Sequence, residues 1–451
     1  MSRFSVIVTK IAFAAALLSP ATAFALDGSW RGELAMGAAK LPLVFNFSED
    51  AEQNTLCTLD SPAQGAKGIP APVVYISTDS LSLTVSSIGA KYNARISATE
   101  IIGTFSQGPY SFPLTLTPEL SLSERRPQTP RPPYPYTTLD TTFTATDGVT
   151  LAGTLTIPAG GLRADMPALV MVSGSGPQNR DEELFDHRPF AVIADYLGRE
   201  GIATFRYDDR GVAQSGGDFG SSDFNTFAAD AAAAMRMLRG VEGIGKVGVL
   251  GHSEGGTIAM RLASATDADL HPDFIISLAG VAEPAKATLL RQNRDRLMQL
   301  NLSSQEVDDL MCVIEGCFDA LIAGESEIDV DAIANKAGLS PNPMVMAELR
   351  RNLPAMSTPA FLTMLRLRPD EWLDNIHVPM LALNGSLDTQ VNPEANLNLI
   401  TSHIPSATAI ELPGLNHLLQ PATTGDITEY ESIPQTISPE ALAAILTFLR
   451  P

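Results

Sequence analysis

Val247-Gly248-Val249-Leu250-Gly251-His252-Ser253-Glu254-Gly255-Gly256 is the stretch on which the reading of this 451-residue chain turns. A short apolar run ends in Gly-x-Ser-x-Gly, and a helical pattern (Thr257, Ile258, Ala259, Met260, Arg261, Leu262, Ala263) follows at once. Strand, sharp turn and helix are the context in which a serine hydroxyl is lifted above the strand ends on a strained backbone, the nucleophile elbow. Glycines at 251 and 255 fit because side chains there would collide with the neighbouring strand and helix. In a chain with 34 glycines the motif alone is weak, so its surroundings must decide.

Those surroundings alternate strand with helix. From Tyr136 onward a hairpin opens, with strands at 142–146 and 151–157 about Asp147-Gly148. Apolar strands then recur at 168–172, 202–207, 247–250, 274–278, 380–383 and 408–412. One intervening helix carries Phe190, Ile193, Ala194 and Leu197 on a single face and stops at Gly201. A second runs over 224–239 and stops at Gly240; the last begins with Ser438 as cap and Pro439 in the first turn. Alternation of this kind predicts an α/β fold, a mostly parallel sheet covered on both faces. An insertion over 282–375 has helical periodicity and holds six of the fourteen methionines, Met298, Met311, Met344, Met346, Met356 and Met364. It reads as a helical cap, whose methionines would serve equally as an adaptable apolar lining or as ordinary packing.

The chain before this region has a different period. Leu41, Leu43, Phe45 and Phe47 alternate with polar neighbours, as do Leu81, Leu83 and Val85, and Phe112, Leu114 and Leu116. Turn residues separate these runs, so 26–125 is expected to be a small all-β domain, a sandwich or open barrel. Between Pro127 and Pro135 five of nine residues are proline, which predicts an extended, semi-rigid spacer over 126–135. Residues 1–25 read as a secretory signal peptide. Arg3 and Lys10 are its cations, 11–18 its apolar core, and Ala23-Phe24-Ala25 a small-x-small cleavage site. The mature protein is therefore expected to be periplasmic or secreted, with no membrane span after cleavage.

Composition narrows the partners. The formal charge is −21, and −23 once Arg3 and Lys10 leave with the signal. A chain so acidic, without a basic cluster, repels phosphate backbones, so no nucleic-acid partner is expected. No cofactor or metal site is expected from the spacing of Cys57, Cys312 and Cys317. A bridge between Cys312 and Cys317 requires Gly316 to break their helix, since residues five apart on one helix face different ways. The sequence leaves that bridge and the oligomeric state open.

Gly-His-Ser-Glu-Gly after the fifth of eight strands, behind an antiparallel hairpin, resembles the α/β-hydrolase superfamily over about residues 136–451. With its β domain and linker the chain is similar to certain exported bacterial serine esterases of that superfamily. Gly174-Ser175-Gly176-Pro177-Gln178-Asn179-Arg180-Asp181 and Arg206-Tyr207-Asp208-Asp209-Arg210-Gly211 also resemble that subgroup, as charged pairs bracing the loops after strands three and four.

Serine is a poor nucleophile until a neutral imidazole accepts its proton and a carboxylate orients that ring. In this fold the chain order is serine, acid, histidine, the last two on loops past late strands. Asp388 and His417 meet that order behind Ser253, each just past a strand. His252 lies within the elbow itself, Asp374 precedes its strand and Glu411 lies inside one. The oxyanion donors expected are the backbone N–H groups of Glu254 and Ser175. The reading is a serine hydrolase cleaving small-molecule carboxylic esters through an acyl-enzyme. The alternative is a serine aminopeptidase, for which Glu315, Glu325 or Glu327 in the cap would hold the substrate ammonium.

Overall fold

The structure, a computed structural model, describes residues 26–450 apart from 27, 37, 38, 51, 53, 62, 63, 65, 98, 120–124, 164, 165, 268, 269, 301 and 326. The expected signal peptide lies outside the described residues. Two compact units divide the chain, one through Ser121 and one from Leu122.

The first unit is a single antiparallel sheet of nine strands, β1 (Gly28–Met36), β2 (Ala39–Glu49), β3 (Thr55–Ser61), β4 (Ala66–Pro70), β5 (Val73–Ile76), β6 (Ser80–Val85), β7 (Ala90–Ile96), β8 (Ile101–Gln107) and β9 (Tyr110–Pro118). Its order is β4-β3-β2-β1-β9-β8-β7-β6-β5. The two edge strands are consecutive in sequence, with only Ala71 and Pro72 between them, so the sheet must curl until its edges approach. Of the two architectures allowed by period-two alternation, the open barrel is the one formed. Phe45, Leu59, Leu83, Tyr92, Ile101 and Leu116 fill its interior, none more than 1% exposed.

The second unit is built on β10 (Thr137–Thr144), β11 (Thr150–Ile157), β12 (Ala168–Val172), β13 (Ala203–Tyr207), β14 (Val247–His252), β15 (Ile275–Leu278), β16 (Met380–Gly385) and β17 (Thr408–Leu412). Strand order is β10-β11-β13-β12-β14-β15-β16-β17, antiparallel at the opening hairpin and at β11–β13, parallel from there on. Its core strands read as continuous apolar runs because both faces are covered. On one face lie α2 (Phe224–Arg239), α3 (Glu254–Ala263) and α9 (Pro393–His403); on the other lie α1 (Pro189–Arg199) and α10 (Pro439–Leu449). Asp223 caps α2 and Ser438 caps α10, each side chain accepting a backbone N–H of the first turn. This is the α/β-hydrolase fold.

The order of strands reverses between β12 and β14, and loops leaving their carboxyl ends therefore part and open a crevice, as open α/β sheets do at such a point. Ser173–Gly176 follow β12 and Ser253 follows β14, so the sheet itself sets the two loops side by side. Between β15 and β16 come α4 (Ala285–Met298), α5 (Ser304–Ala323), α6 (Val330–Lys336), α7 (Pro343–Met356) and α8 (Pro359–Leu365), of which α4 and α8 wall the crevice. They bury a small core of their own around Leu310, Val313, Ile314 and Phe318. The six cap methionines divide by environment: Met311 and Met346 are buried in that core, Met356 packs at its edge, Met298 and Met344 face solvent, and Met364 alone of the six lines the crevice.

Helix α5 runs unbroken through Gly316, where an added Cβ would lie 2.6 Å from Ile333 Cγ2 of α6. The glycine admits a neighbouring helix and does not end its own. Cys312 is exposed and Cys317 buried, both as free thiols, so the bridge considered from sequence does not form. The proline-rich segment is anchored at its start: Arg126 is 1% exposed, and its guanidinium donates to the carbonyls of Phe185, Glu431 and Ile433.

Candidate active site

Ser253 caps α3 at φ +52, in the left-handed region that residues with a Cβ rarely adopt. Its N–H is held by the carbonyl of Leu278 at the end of β15, 2.8 Å away. A Cβ on Gly251 would lie 2.0 Å from the Gly255 carbonyl oxygen, and one on Gly255 would lie 2.1 Å from the Val172 carbonyl oxygen. Strand, turn and helix thus touch through bare backbone, and that close approach forces the serine upward.

Asp388 is buried just past β16. Its Oδ1 accepts the N–H groups of Gln390 and Val391, both at 2.8 Å, and its Oδ2 accepts the Asn384 amide at 3.5 Å, which fixes the carboxylate plane. Oδ2 meets His417 Nδ1 at 2.8 Å, with the imidazole itself 4% exposed. Facing an acceptor-only carboxylate, Nδ1 carries the proton and Nε2 is left as the basic nitrogen. The two loops are clasped by backbone bonds, Ser386 N–H to the carbonyl of Leu412 and Leu387 N–H to that of Leu415, both 2.9 Å.

Ser175, Ser253 and Glu254 line one cleft, roofed by Leu289, Gln292 and Met364 of the cap. Glu254 opens α3, so this lining includes a helix N-terminus, where unpaired N–H groups and the helix dipole favour negative charge. Glu254 supplies a second feature. Burial pushes its carboxyl up to about 7, and burial, against the hydrogen bonds from Gln178 N–H and Ser173, pushes Asp209 up to about 7 as well. Both residues also line a smaller pocket beneath the Ser173–Gly176 loop, walled by Tyr207, Phe219 and Phe227.

The charged loop pairs are braces. Arg180 grips Asp208 through Nε and a terminal nitrogen at 3.1 and 2.6 Å, and Arg206 meets Asp181 at 2.5 Å. Asp374 pairs with His403 at 2.7 Å on the surface, and Glu411 faces outward from β17, so neither stands near Ser253. Glu315 is tied to Lys286 at 3.1 Å, and Glu325 and Glu327 are exposed. Two residues that sequence reasoning passed over hold the site from behind. His252 Nδ1 lies 2.8 Å from Glu182 Oε1, and His252 Nε2 lies 3.1 Å from the carbonyl oxygen of His417. Glu182 is the next residue after the quoted loop motif, but nothing in its own neighbourhood announces a partner seventy positions away.

The chain is similar to known proteins over parts of its length. The family model described as serine aminopeptidase, S33, matches residues 187–420, just over half of the chain. Over 165 residues the chain is 30% identical to esterase EstD of Thermotoga maritima. That match spans 37% of this chain and 38% of EstD, so well under half of that relative's length is covered. Among solved structures, the α/β hydrolase GrgF from Penicillium sp. sh18 is similar over 70% of this chain and 98% of its own, at 20% identity and a TM-score of 0.44. The Pyrococcus furiosus esterase Pf2001 is similar over 70% and 91%, at 14% identity and a TM-score of 0.43.

Proposed function

Because the chain belongs to the serine aminopeptidase S33 family of hydrolases, we propose that it is a serine hydrolase that cleaves small carboxylic esters through an acyl-enzyme. Ser253 Oγ attacks the ester carbonyl while His417 Nε2 takes its proton. Asp388 keeps the ring in the required tautomer and stabilises the imidazolium. The negative charge that develops on the carbonyl oxygen is met by the N–H groups of Glu254 and Ser175. His417 then returns the proton to the leaving alkoxide, and a water repeats the sequence to release the acid. What supports this reading is the buried Asp388–His417 pair, 2.8 Å apart on loops past β16 and β17, together with a serine at φ +52 just past β14. The similarity to EstD supports esters as the substrate class.

One observation favours the second reading, an aminopeptidase. Glu254 lines the same cleft as Ser253, and its carboxyl is pushed up to about 7 by burial. A substrate ammonium beside it would hold it ionised, a role for which the cap acids Glu315, Glu325 and Glu327 are poorly placed. Hydrolysis of p-nitrophenyl esters against aminoacyl arylamides separates the two readings; the first expects turnover of the esters and little of the arylamides. A fluorophosphonate probe should label the wild type and fail on Ser253→Ala. Asp388→Asn and His417→Ala should each lower kcat by about 10⁴. Labelling that survives at Ser253→Ala would remove the serine mechanism altogether.

A further inference from the structure

Behind the reacting groups runs a chain of buried polar contacts that no step above uses. Glu182 Oε1 accepts the N–H of Gly174 at 2.6 Å and faces His252 Nδ1 at 2.8 Å, while His252 Nε2 faces the carbonyl oxygen of His417 at 3.1 Å. The other carboxylate oxygen, Oε2, is buried without a hydrogen-bond partner, so both links run through Oε1. Glu182 is 4% exposed and sits at φ +52, a conformation that non-glycine residues keep only where the surroundings over-determine it.

The geometry fixes the protonation of His252. Each ring nitrogen faces an atom that only accepts, a carboxylate on one side and a peptide carbonyl on the other. A neutral imidazole has one N–H and would leave one contact as two acceptors face to face; only the imidazolium donates to both. The electrostatics agree: burial pushes the His252 pKa down, but the Glu182 charge and the hydrogen bonds to Glu182 and His417 outweigh it and hold the pKa above its usual 6.5. The titratable groups around the ring are Glu182, His417 and, farther off, Asp388. The remaining walls are apolar, from Pro189, Phe190 and Ile193 of α1, Leu278 of β15, and Leu418 and Leu419 of the histidine loop.

We propose that Glu182 and His252 are positioning residues, an imidazolium–carboxylate pair that pins the oxyanion loop and the loop of the general base to the elbow. One end holds Gly174, whose successor Ser175 supplies an oxyanion donor. The other end holds the carbonyl of His417 itself, so a shift there carries the imidazole with it. Displacing a reacting group by about 1 Å costs about 10²-fold in rate. The inference rests on Ser253, Asp388 and His417 being the reacting groups.

The wild type gives the first test. With ¹⁵N-labelled histidine and His252 assigned by its loss in His252→Gln, both ring nitrogens of His252 should be protonated at pH 7. A single neutral tautomer there would overturn the proposal. The second test is Glu182→Gln, which keeps an oxygen for Gly174 N–H and removes the charge. Its kcat should fall about 10²-fold with KM within about threefold. Wild-type kcat/KM should decline on the alkaline side as His252 loses its proton. Without the carboxylate that limb moves to lower pH, a change that mere loosening of the fold would not produce. An unmoved limb and an unchanged kcat sink the idea. Should Glu182→Gln not fold, the ring nitrogens of the wild type and the missing alkaline limb in His252→Gln still decide. Probe labelling of Ser253 and inactivity of His417→Ala test the underlying mechanism separately: if both hold while Glu182→Gln behaves as wild type, only this inference fails.

Discussion

His187 lies between Thr436 Oγ1 and the carbonyl oxygen of Tyr430, 3.0 Å from each ring nitrogen, and is fully buried. One partner is a hydroxyl that can donate and the other a carbonyl that accepts, so a neutral ring satisfies both, the opposite of the situation at His252. Burial pushes its pKa down from 6.5 to about 4, against the Tyr430 hydrogen bond. Above pH 6.5 folded and unfolded states are both neutral and the contribution is whole. As pH falls from 6.5 towards 4 the unfolded chain takes up a proton that the folded one refuses, and stability is lost across that window. The loss amounts to about 3 kcal/mol. Glu254 and Asp209, pushed up to about 7, act with the opposite sign, losing stability as pH rises towards 7. The clean measurement is therefore a difference: the unfolding free energy of the wild type minus that of His187→Gln should fall by about 3 kcal/mol between pH 7 and pH 4. A gap that stays constant over that range would show that folded His187 takes up its proton as readily as the unfolded chain does.

At the scale of elements the site depends on how closely β14, α3 and β12 approach. The N-terminal turn of α3 rests on β12 at Gly255, where an added Cβ would meet the carbonyl oxygen of Val172 at 2.1 Å and that of Ser173 at 2.6 Å. Backbone cannot yield as a flexible side chain does, so Gly255→Ala must push α3 away from β12 and carry the Ser253 and Glu254 backbone with it. We expect kcat to fall at least 10²-fold, or soluble protein to be lost. Gly316→Ala, where the obstacle is the Ile333 side chain in the cap, makes the control and should leave probe labelling of Ser253 intact. Near-normal turnover in Gly255→Ala would mean that the elbow tolerates being lifted, contrary to the geometry. Elements are also where the sequence is most readable. The faces of α1 and α2, the caps Asp223 and Ser438 and the apolar runs of the parallel strands are set by residues a few positions apart.

For the whole molecule, the boundary between its units does not coincide with the richest run of prolines. Arg126 lies only one residue before the first proline of that run, yet its guanidinium reaches the carbonyls of Glu431 and Ile433 some three hundred positions on. Gln128 donates to the Ile437 carbonyl and accepts the N–H groups of Thr436 and Ile437. These bonds hold the segment that supplies both partners of His187 and leads into Ser438. A chain beginning at residue 122 should keep the serine reactive to a fluorophosphonate. One beginning at 136 leaves buried carbonyls and N–H groups unpaired, each costing about 1–3 kcal/mol, and should melt far lower or fail to fold. Equal melting temperatures for the two truncations would show Arg126 and Gln128 to be dispensable; loss of the longer one would show that the first unit is needed for folding.

Periodicity, turn residues and caps act through neighbours along the chain, so the sequence by itself determined the parallel strands and flanking helices of the hydrolase unit, the helical character of its cap, and three of the nine strands of the first unit. It also marked Ser253, Asp388 and His417 as residues placed just past strand ends. Tertiary structure alone decided what joins distant segments. It chose the open barrel through the two-residue step between its edges, kept Cys312 and Cys317 apart on one helix, and gave the crevice to Met364 among six methionines. It also set Glu182 and His252 behind the base. The physical reason is that a residue's own neighbourhood dictates its backbone and its buried face, whereas a hydrogen bond across seventy positions exists only once the sheet has brought its two loops together.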